Sequence, residues 1–282
     1  MNLIGLMPVR NEEWIIGLSV RVALKWVDKL LVCAHACTDK TVDILDVIRK
    51  EDNRLCVLQD PIPEWKEMTQ RQELLTWARQ LKATHIAPID ADEVLTANLL
   101  PVIRDYVADA PTGQCLALPG IQLWASIDSY RHDGLFNQKF SLAFADRPDY
   151  TWRPYGTNNY QHHSRLPNPL SRGYPIEVDG GVMHFQFVRP NTLKAKQARY
   201  KMLEWLRYPE FGIEGIDKKY SWWNTQFGRV SRCQPIWRQG YEHLMKYLDL
   251  DDSGSWYKDD CRKLVESYGR KKFEGLNLFG VV

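Results

Sequence analysis

Thr84-His85-Ile86-Ala87-Pro88-Ile89-Asp90-Ala91-Asp92-Glu93 is an apolar run that ends in three carboxylates within four positions. The apolar part reads as a buried strand. The acidic part falls where that strand leaves its sheet. In extended chain, residues two apart point to the same side, so Asp90 and Asp92 converge while Ala91 points away. Two carboxylates that close repel unless a cation lies between them. Mg²⁺ and Mn²⁺ take oxygen ligands and commonly keep positions open for substrate phosphates. The stretch points to a metal–diphosphate site at the carboxyl edge of a sheet. The same residues also fit a solvated acidic turn, with Asp92 or Thr96 capping a following helix.

Upstream, the chain alternates strand and helix. Leu3 to Val9 is an apolar strand, and Asn11 has the residue type of an N-cap, with Glu12 and Glu13 in the first turn. Ile15, Ile16, Leu18, Val22 and Ala23 recur at helical spacing. Lys29 to Ala34 reads as a second strand, Thr38-Asp39 caps a helix to Lys50, Leu55 to Leu58 is a short strand, and a helix spans Thr69 to Lys82. Such alternation predicts a parallel sheet covered by helices. Ligands in such sheets sit beyond the carboxyl ends of strands, where Arg10-Asn11, His35 to Asp39 and Asp90 to Asp92 all fall.

Downstream, Leu99 to Val107 reads as a helix and Cys115 to Leu118 as a strand. From Trp124 to Pro175 the pattern weakens into strands and long loops that include His162 and His163. Gly180 to Val188 is another strand and carries His184, and Pro190 opens a basic amphipathic helix to about Tyr208. Residues 218–282 are rich in Trp, Tyr and Lys and look mainly helical, with an apolar tail from Phe273. No C-x-x-C pair occurs among the six cysteines, which speaks against a structural zinc site. No apolar run reaches the roughly 18 residues of a membrane span and no signal peptide opens the chain, so a cytoplasmic setting is expected. Residues 1–150 carry 16 Lys+Arg against 21 Asp+Glu, whereas residues 151–282 carry 21 against 14. A basic second half fits an anionic partner or a solvated basic face.

Val9-Arg10-Asn11-Glu12-Glu13, then Cys37-Thr38-Asp39-Lys40-Thr41, then Asp90-Ala91-Asp92-Glu93 resembles the family 2 glycosyltransferases. The resemblance covers about residues 1–100 and continues more weakly through Met183-His184 and Lys194 to Tyr200. It implies an α/β fold of glycosyltransferase-A type: a mostly parallel central sheet flanked by helices, with a mainly helical C-terminal extension. Residues 1–120 would form the nucleotide-sugar half, 121–210 the acceptor half and 211–282 the aromatic-rich extension. It further implies a nucleotide-diphosphate sugar as donor, a UDP-sugar being favoured, and Mn²⁺ or Mg²⁺ as cofactor.

On that resemblance Asp92 binds the metal, Asp90 contacts the ribose or shares the metal, and His184 is a further ligand or diphosphate contact. Pro8, Arg10, Asn11 and Glu12 line the nucleoside pocket, and Arg71 reaches the base or a phosphate. His35, Asp39 and Ala91 complete the donor-binding set. The chain departs from the family where a carboxylate pair commonly follows the second strand; Ala34 and His35 stand there. Asp179 and His163 are the candidates for the base that accepts the acceptor's proton, each equally readable as a loop residue. The acceptor is expected to be a saccharide or lipid-linked glycan. The alternatives are DNA carrying hydroxymethylated bases, which the Arg/aromatic interleaving from Arg199 to Trp223 also suits, a non-catalytic nucleotide-sugar-binding module, and a nucleotidyltransferase. The last would act on a triphosphate, yet no G-x-x-x-x-G-K loop is present.

Overall fold

The computed structural model describes residues 1–64, 66–153, 164–224 and 228–282. Four strands form its parallel centre: β1 (Leu3–Val9), β2 (Lys29–His35), β3 (Leu55–Asp60) and β4 (His85–Pro88), in the order β4-β1-β2-β3. Helices α1 (Ile16–Ala23), α2 (Thr41–Glu51) and α3 (Glu67–Gln80) connect them. The period of two explains why these strands are apolar throughout. Leu3, Met7 and Val9 of β1, with Leu30, Val32 and Ala34 of β2, enter one core; Ile4 and Leu6, with Leu31 and Cys33, enter the other. A strand covered on both faces has no polar side to show.

Past β4 the chain does not continue extended. It turns through Asp90 to Asp92, with the Glu93 N–H donating to the Asp90 carbonyl at 3.1 Å, and enters a short strand β5 (Glu93–Leu95). After α4 (Ile103–Asp109) come β6 (Cys115–Trp124), β7 (Ser129–Arg131) and β8 (Lys139–Ala145), which extend the sheet antiparallel beyond β4. β9 (Gly173–Pro175) pairs with β6, and β10 (Val182–Phe187) lies between β5 and β6. Gly181 permits this insertion: its φ is +152°, and a Cβ there would stand 2.0 Å from the Pro119 carbonyl oxygen.

The C-terminal part holds α5 (Pro190–Arg207), α6 (Gly212–Ser221), β11 (Val230–Arg232) and α7 (Trp256–Tyr268). Its apolar tail packs onto the body, with Phe273, Leu276 and Phe279 meeting Ala198, Met202 and Tyr220. The whole is an α/β arrangement, a helix-flanked sheet with a parallel centre and a mainly helical C-terminal extension. No helix among the described residues is long and apolar enough to cross a membrane.

Candidate functional site

β1, β2 and β4 run parallel, so their carboxyl ends share one edge of the sheet. A cleft of about 270 Å³ opens there. Its floor is Pro8, Val9, Arg10 and Glu12 after β1, His35 at the end of β2, and Asp90, Ala91 and Asp92 after β4. Glu67, Gln70 and Arg71 of α3 close one side, and His184 and Gln186 of β10 enter from another. The remaining wall is Lys196, Arg199 and Tyr200 of α5 with Trp256 and Tyr257 of α7.

The two aspartates have different partners. Asp90 is half-buried and held on both oxygens by arginines: Arg71 Nη2 donates to Oδ1 at 2.9 Å and Arg165 Nη1 to Oδ2 at 3.2 Å. Arg165 spends all five N–H donors behind the acidic turn. It grips Glu93 with two bonds of 2.6 Å and also reaches the carbonyls of Pro88 and Ser141, each at 2.7 Å. Burial alone would raise Asp90, but Arg165 and Arg71 more than offset it and hold the carboxyl below its usual range. Arg71 is 4% exposed, bonds Glu67 and Asp90, and keeps its Nη1 without a hydrogen-bond partner among the described residues. A buried guanidinium nitrogen with no acceptor, in a cleft wall, is a ready donor for an anion.

Asp92 faces His184 instead, with Oδ2 and Nε2 3.3 Å apart. Strand pairing fixes this contact. His184 lies opposite Glu93 on β5 and Gln122 on β6, and the next N–H, of Phe185, donates to the Asp92 carbonyl at 2.9 Å. The second ring nitrogen, Nδ1, meets the Gln122 carboxamide oxygen at 2.8 Å. That oxygen can only accept, so Nδ1 carries a proton and Nε2 is the nitrogen turned to Asp92. Burial raises Asp92 and lowers His184, but their mutual attraction outweighs it: Asp92 is held well below the usual carboxylate range and His184 above the usual imidazole range. Burial and the Asp92 charge push Glu12 upward.

The donor set of Asp92 and His184 suits a divalent cation. Two neighbouring ligand atoms on one first-row ion, with bonds of roughly 2.0–2.2 Å, stand about 3 Å apart, close to the observed separation. Gln122 provides the outer hydrogen bond that ligating imidazoles usually have. Among the described residues no third His, Cys, Asp or Glu joins them, so further positions would fall to water and substrate oxygen. Asp90 is not placed for shared ligation, because both its oxygens face guanidinium groups. The chain turns at Asp90 rather than running on as an extended strand, yet both aspartates line the cleft and Asp92 acts on the charge of Asp90.

Of the other expected residues, Pro8, Arg10, Glu12, His35, Arg71 and Ala91 line the same cleft. Asn11 and Asp39 line a neighbouring cavity and tie loops together. Asn11 has φ +56° and is no N-cap; its amide accepts from the Thr38 N–H at 2.7 Å and donates to the Thr38 hydroxyl at 3.1 Å. Asp39 accepts from the N–H groups of Thr41 at 2.9 Å and Glu13 at 3.1 Å. Asp179 is exposed, accepts from the Trp237 indole at 2.9 Å, and does not line the cleft. His163 lies outside the described residues. Arg165, Lys196, Trp256 and Tyr257 are not among the residues expected at the site, and Arg199 is read only as part of an Arg/aromatic run; the basic helix after Pro190, with the resemblance through Lys194 to Tyr200, is the signal for the two on α5.

No protein-family model matches the chain, and no curated protein matches it in sequence. Among solved structures it is similar to S. aureus TarS 1-349, at 14% identity over 80% of this chain and 74% of that one, with a TM-score of 0.47. It is also similar to the mannosyltransferase PcManGT from Pyrobaculum calidifontis in complex with GDP-Man and Mn²⁺, at 12% identity over 94% and 74%, TM-score 0.43. A third is glucosyl-3-phosphoglycerate synthase from Mycobacterium tuberculosis in complex with Mn²⁺, uridine-diphosphate and glucosyl-3-phosphoglycerate, at 18% identity over 43% of each chain, TM-score 0.28.

Proposed function

We propose that the protein is a metal-dependent glycosyltransferase that moves a sugar from a nucleotide-diphosphate donor to an acceptor hydroxyl, most simply that of a saccharide. One observation carries this reading. Asp92 and His184, from different elements, stand 3.3 Å apart in a cleft at the sheet's carboxyl edge, and Arg71, which lines the same cleft, keeps a buried Nη1 without a hydrogen-bond partner among the described residues. A hard-cation site beside an anion donor matches a diphosphate.

In the transfer, the bond between the anomeric carbon and the β-phosphate oxygen breaks, and its electron pair stays on that oxygen. A bond forms from the acceptor oxygen to the same carbon, and the acceptor's proton passes to a base on the acceptor side. Asp92 and His184 would hold a divalent ion, which would supply Lewis-acid stabilisation of the departing diphosphate. Arg71 and Arg10 bind and orient the nucleotide, and Pro8, Val9 and His35 shape the nucleoside end. A UDP-sugar is the favoured donor.

The test is a thermal-shift screen with UDP, GDP, CDP and ADP, with and without Mn²⁺, on the wild type and Asp92→Ala. A ligand at 100 times its Kd adds about 2.7 kcal/mol of stability. One nucleotide is expected to stabilise the wild type strongly only with metal, and Asp92→Ala to lose the metal-dependent part while keeping its own melting transition. A metal-independent shift that survives in Asp92→Ala refutes the assignment.

A further inference from the structure

The wall contributed by α5 and α7 holds cations that the strand ends do not explain. Lys196 and Arg199 are three residues apart and share one face of α5. Lys196 Nζ donates to Gln186 Oε1 at 3.0 Å, which occupies one of its three donors. Among the described residues it forms no ion pair, although it lines the same cleft as Asp92 and Glu12. Burial disfavours its charge, yet the oxygens of Tyr257, Tyr200, Asp92 and Glu12 keep the ammonium protonated.

Beside it, two guanidinium groups attend one indole. Arg199 lies 5.0 Å and Arg10 5.4 Å from the Trp256 ring centre. Arg199 also bonds Asp260 at 2.7 Å, while Arg10 keeps a buried Nε without a partner among the described residues. An aromatic face draws cations close without neutralising them. Arg10, from the end of β1, and Arg199, paired with Asp260, thus meet at one indole in the cleft that Lys196 also lines.

We propose that Lys196 is the group that receives the charge developing on the leaving diphosphate, with Arg10 and Arg199, positioned by Trp256, as its supporting wall. This rests on the glycosyl-transfer reading. As the anomeric carbon–oxygen bond breaks, the electron pair settles on a phosphate oxygen that Lys196 meets with an N–H donor. Lys196 stays protonated throughout, and the acceptor's proton goes elsewhere. Fixed donors aimed at developing charge need no reorganisation during reaction. The C-terminal extension thereby belongs to the donor site, through Trp256 on α7.

The experiment is calorimetric titration at saturating Mn²⁺ with UDP, GDP, CDP and ADP, followed by the monophosphate of whichever base binds. The proteins are wild type, Lys196→Met, Lys196→Gln and Lys196→Arg, each checked for an unchanged circular-dichroism spectrum. Loss of a charge-assisted hydrogen bond predicts about 10- to 100-fold weaker diphosphate binding for the Met and Gln variants, with monophosphate affinity changed far less and Arg recovering most of the loss. Equal loss for both ligands, no loss, or an Arg variant as weak as Met overturns the role of Lys196. Wild type that binds none of the four diphosphates overturns the donor reading itself, so the two failures are distinct. Either the Met or the Gln variant suffices if the other does not fold.

Discussion

Replacing Arg165 by Met should be among the most damaging single changes in this chain, although Arg165 stands 72 residues beyond Glu93 in sequence. Its guanidinium closes two 2.6 Å bonds on Glu93, whose side chain is 4% exposed, and a 3.2 Å bond on Asp90. Removing one partner of a buried pair leaves the other charge uncompensated, at a cost of about 3–5 kcal/mol. At roughly 2–3 °C per kcal/mol for a large single chain, Tm should fall by about 6–15 °C. Glu93 is already raised by burial, with Arg165 acting against that rise; without Arg165 it must rise further. The sign then follows. A group whose folded pKa exceeds its unfolded value of about 4.5 favours folding below that value and loses the advantage as pH rises through the folded pKa. The deficit of Arg165→Met should therefore be largest at neutral pH and shrink as pH falls toward 5. Pairing it with Glu93→Gln, which removes the stranded charge, should recover much of the loss. Urea denaturation of both singles and the double variant at two pH values makes the check. An Arg165→Met protein within about 1 kcal/mol of wild type, or a deficit unchanged by pH, would refute the view that this clamp shapes the acidic turn.

Gly181→Ala places a Cβ 2.0 Å from the Pro119 carbonyl at a φ of +152°. The backbone strain alone costs about 1–3 kcal/mol, and relief requires β10 to shift, so a lowered urea midpoint should accompany weaker Mn²⁺ binding through His184. His35 is lowered chiefly by burial, from an ordinary 6.5, and its Nε2 donates to the Ile62 carbonyl at 2.7 Å. The unfolded chain thus protonates first, and stability falls as pH drops below 6.5 until the folded pKa is passed; His35→Gln should flatten Tm across that window, and an unaltered slope would assign the effect to another group.

Which features were legible in the sequence follows from the range of the interactions behind them. The strands β1, β2 and β4 announce themselves because both faces are buried, and that demand falls on each residue locally. The shared edge at which Arg10, His35 and Asp92 meet follows from alternation of strand and helix. The partners of Asp90 were hidden for the opposite reason. Arg71 and Arg165 lie 19 and 75 residues away, and nothing in Asp90-Ala91-Asp92 says that one carboxylate will be neutralised from behind. Asn11 has the residue type of a helix cap, but the Asn side chain also tolerates left-handed backbone, and the bonds to Thr38 used that option. Trp256 belongs to a segment whose aromatic richness shows no period, so its arrival at the donor cleft was invisible until α7 was placed.

The acidic motif divides its labour by charge. Asp90 and Glu93 face Arg71 and Arg165, and Arg71 also bonds Glu67, so three carboxylates and two guanidinium groups form one network behind the turn. Asp92 instead contacts His184 and feels the charge of Lys196, and an imidazole, unlike a guanidinium, can give up its proton. On the proposed function a metal ion at this pair would replace the His184 proton, whereas recruiting Asp90 would break bonds to two arginines. The Arg71 donor is fixed before ligand arrives, because the side chain is anchored by Glu67 and Asp90 while its Nη1 stays unspent. Binding an anion there would not carry the cost of ordering that side chain.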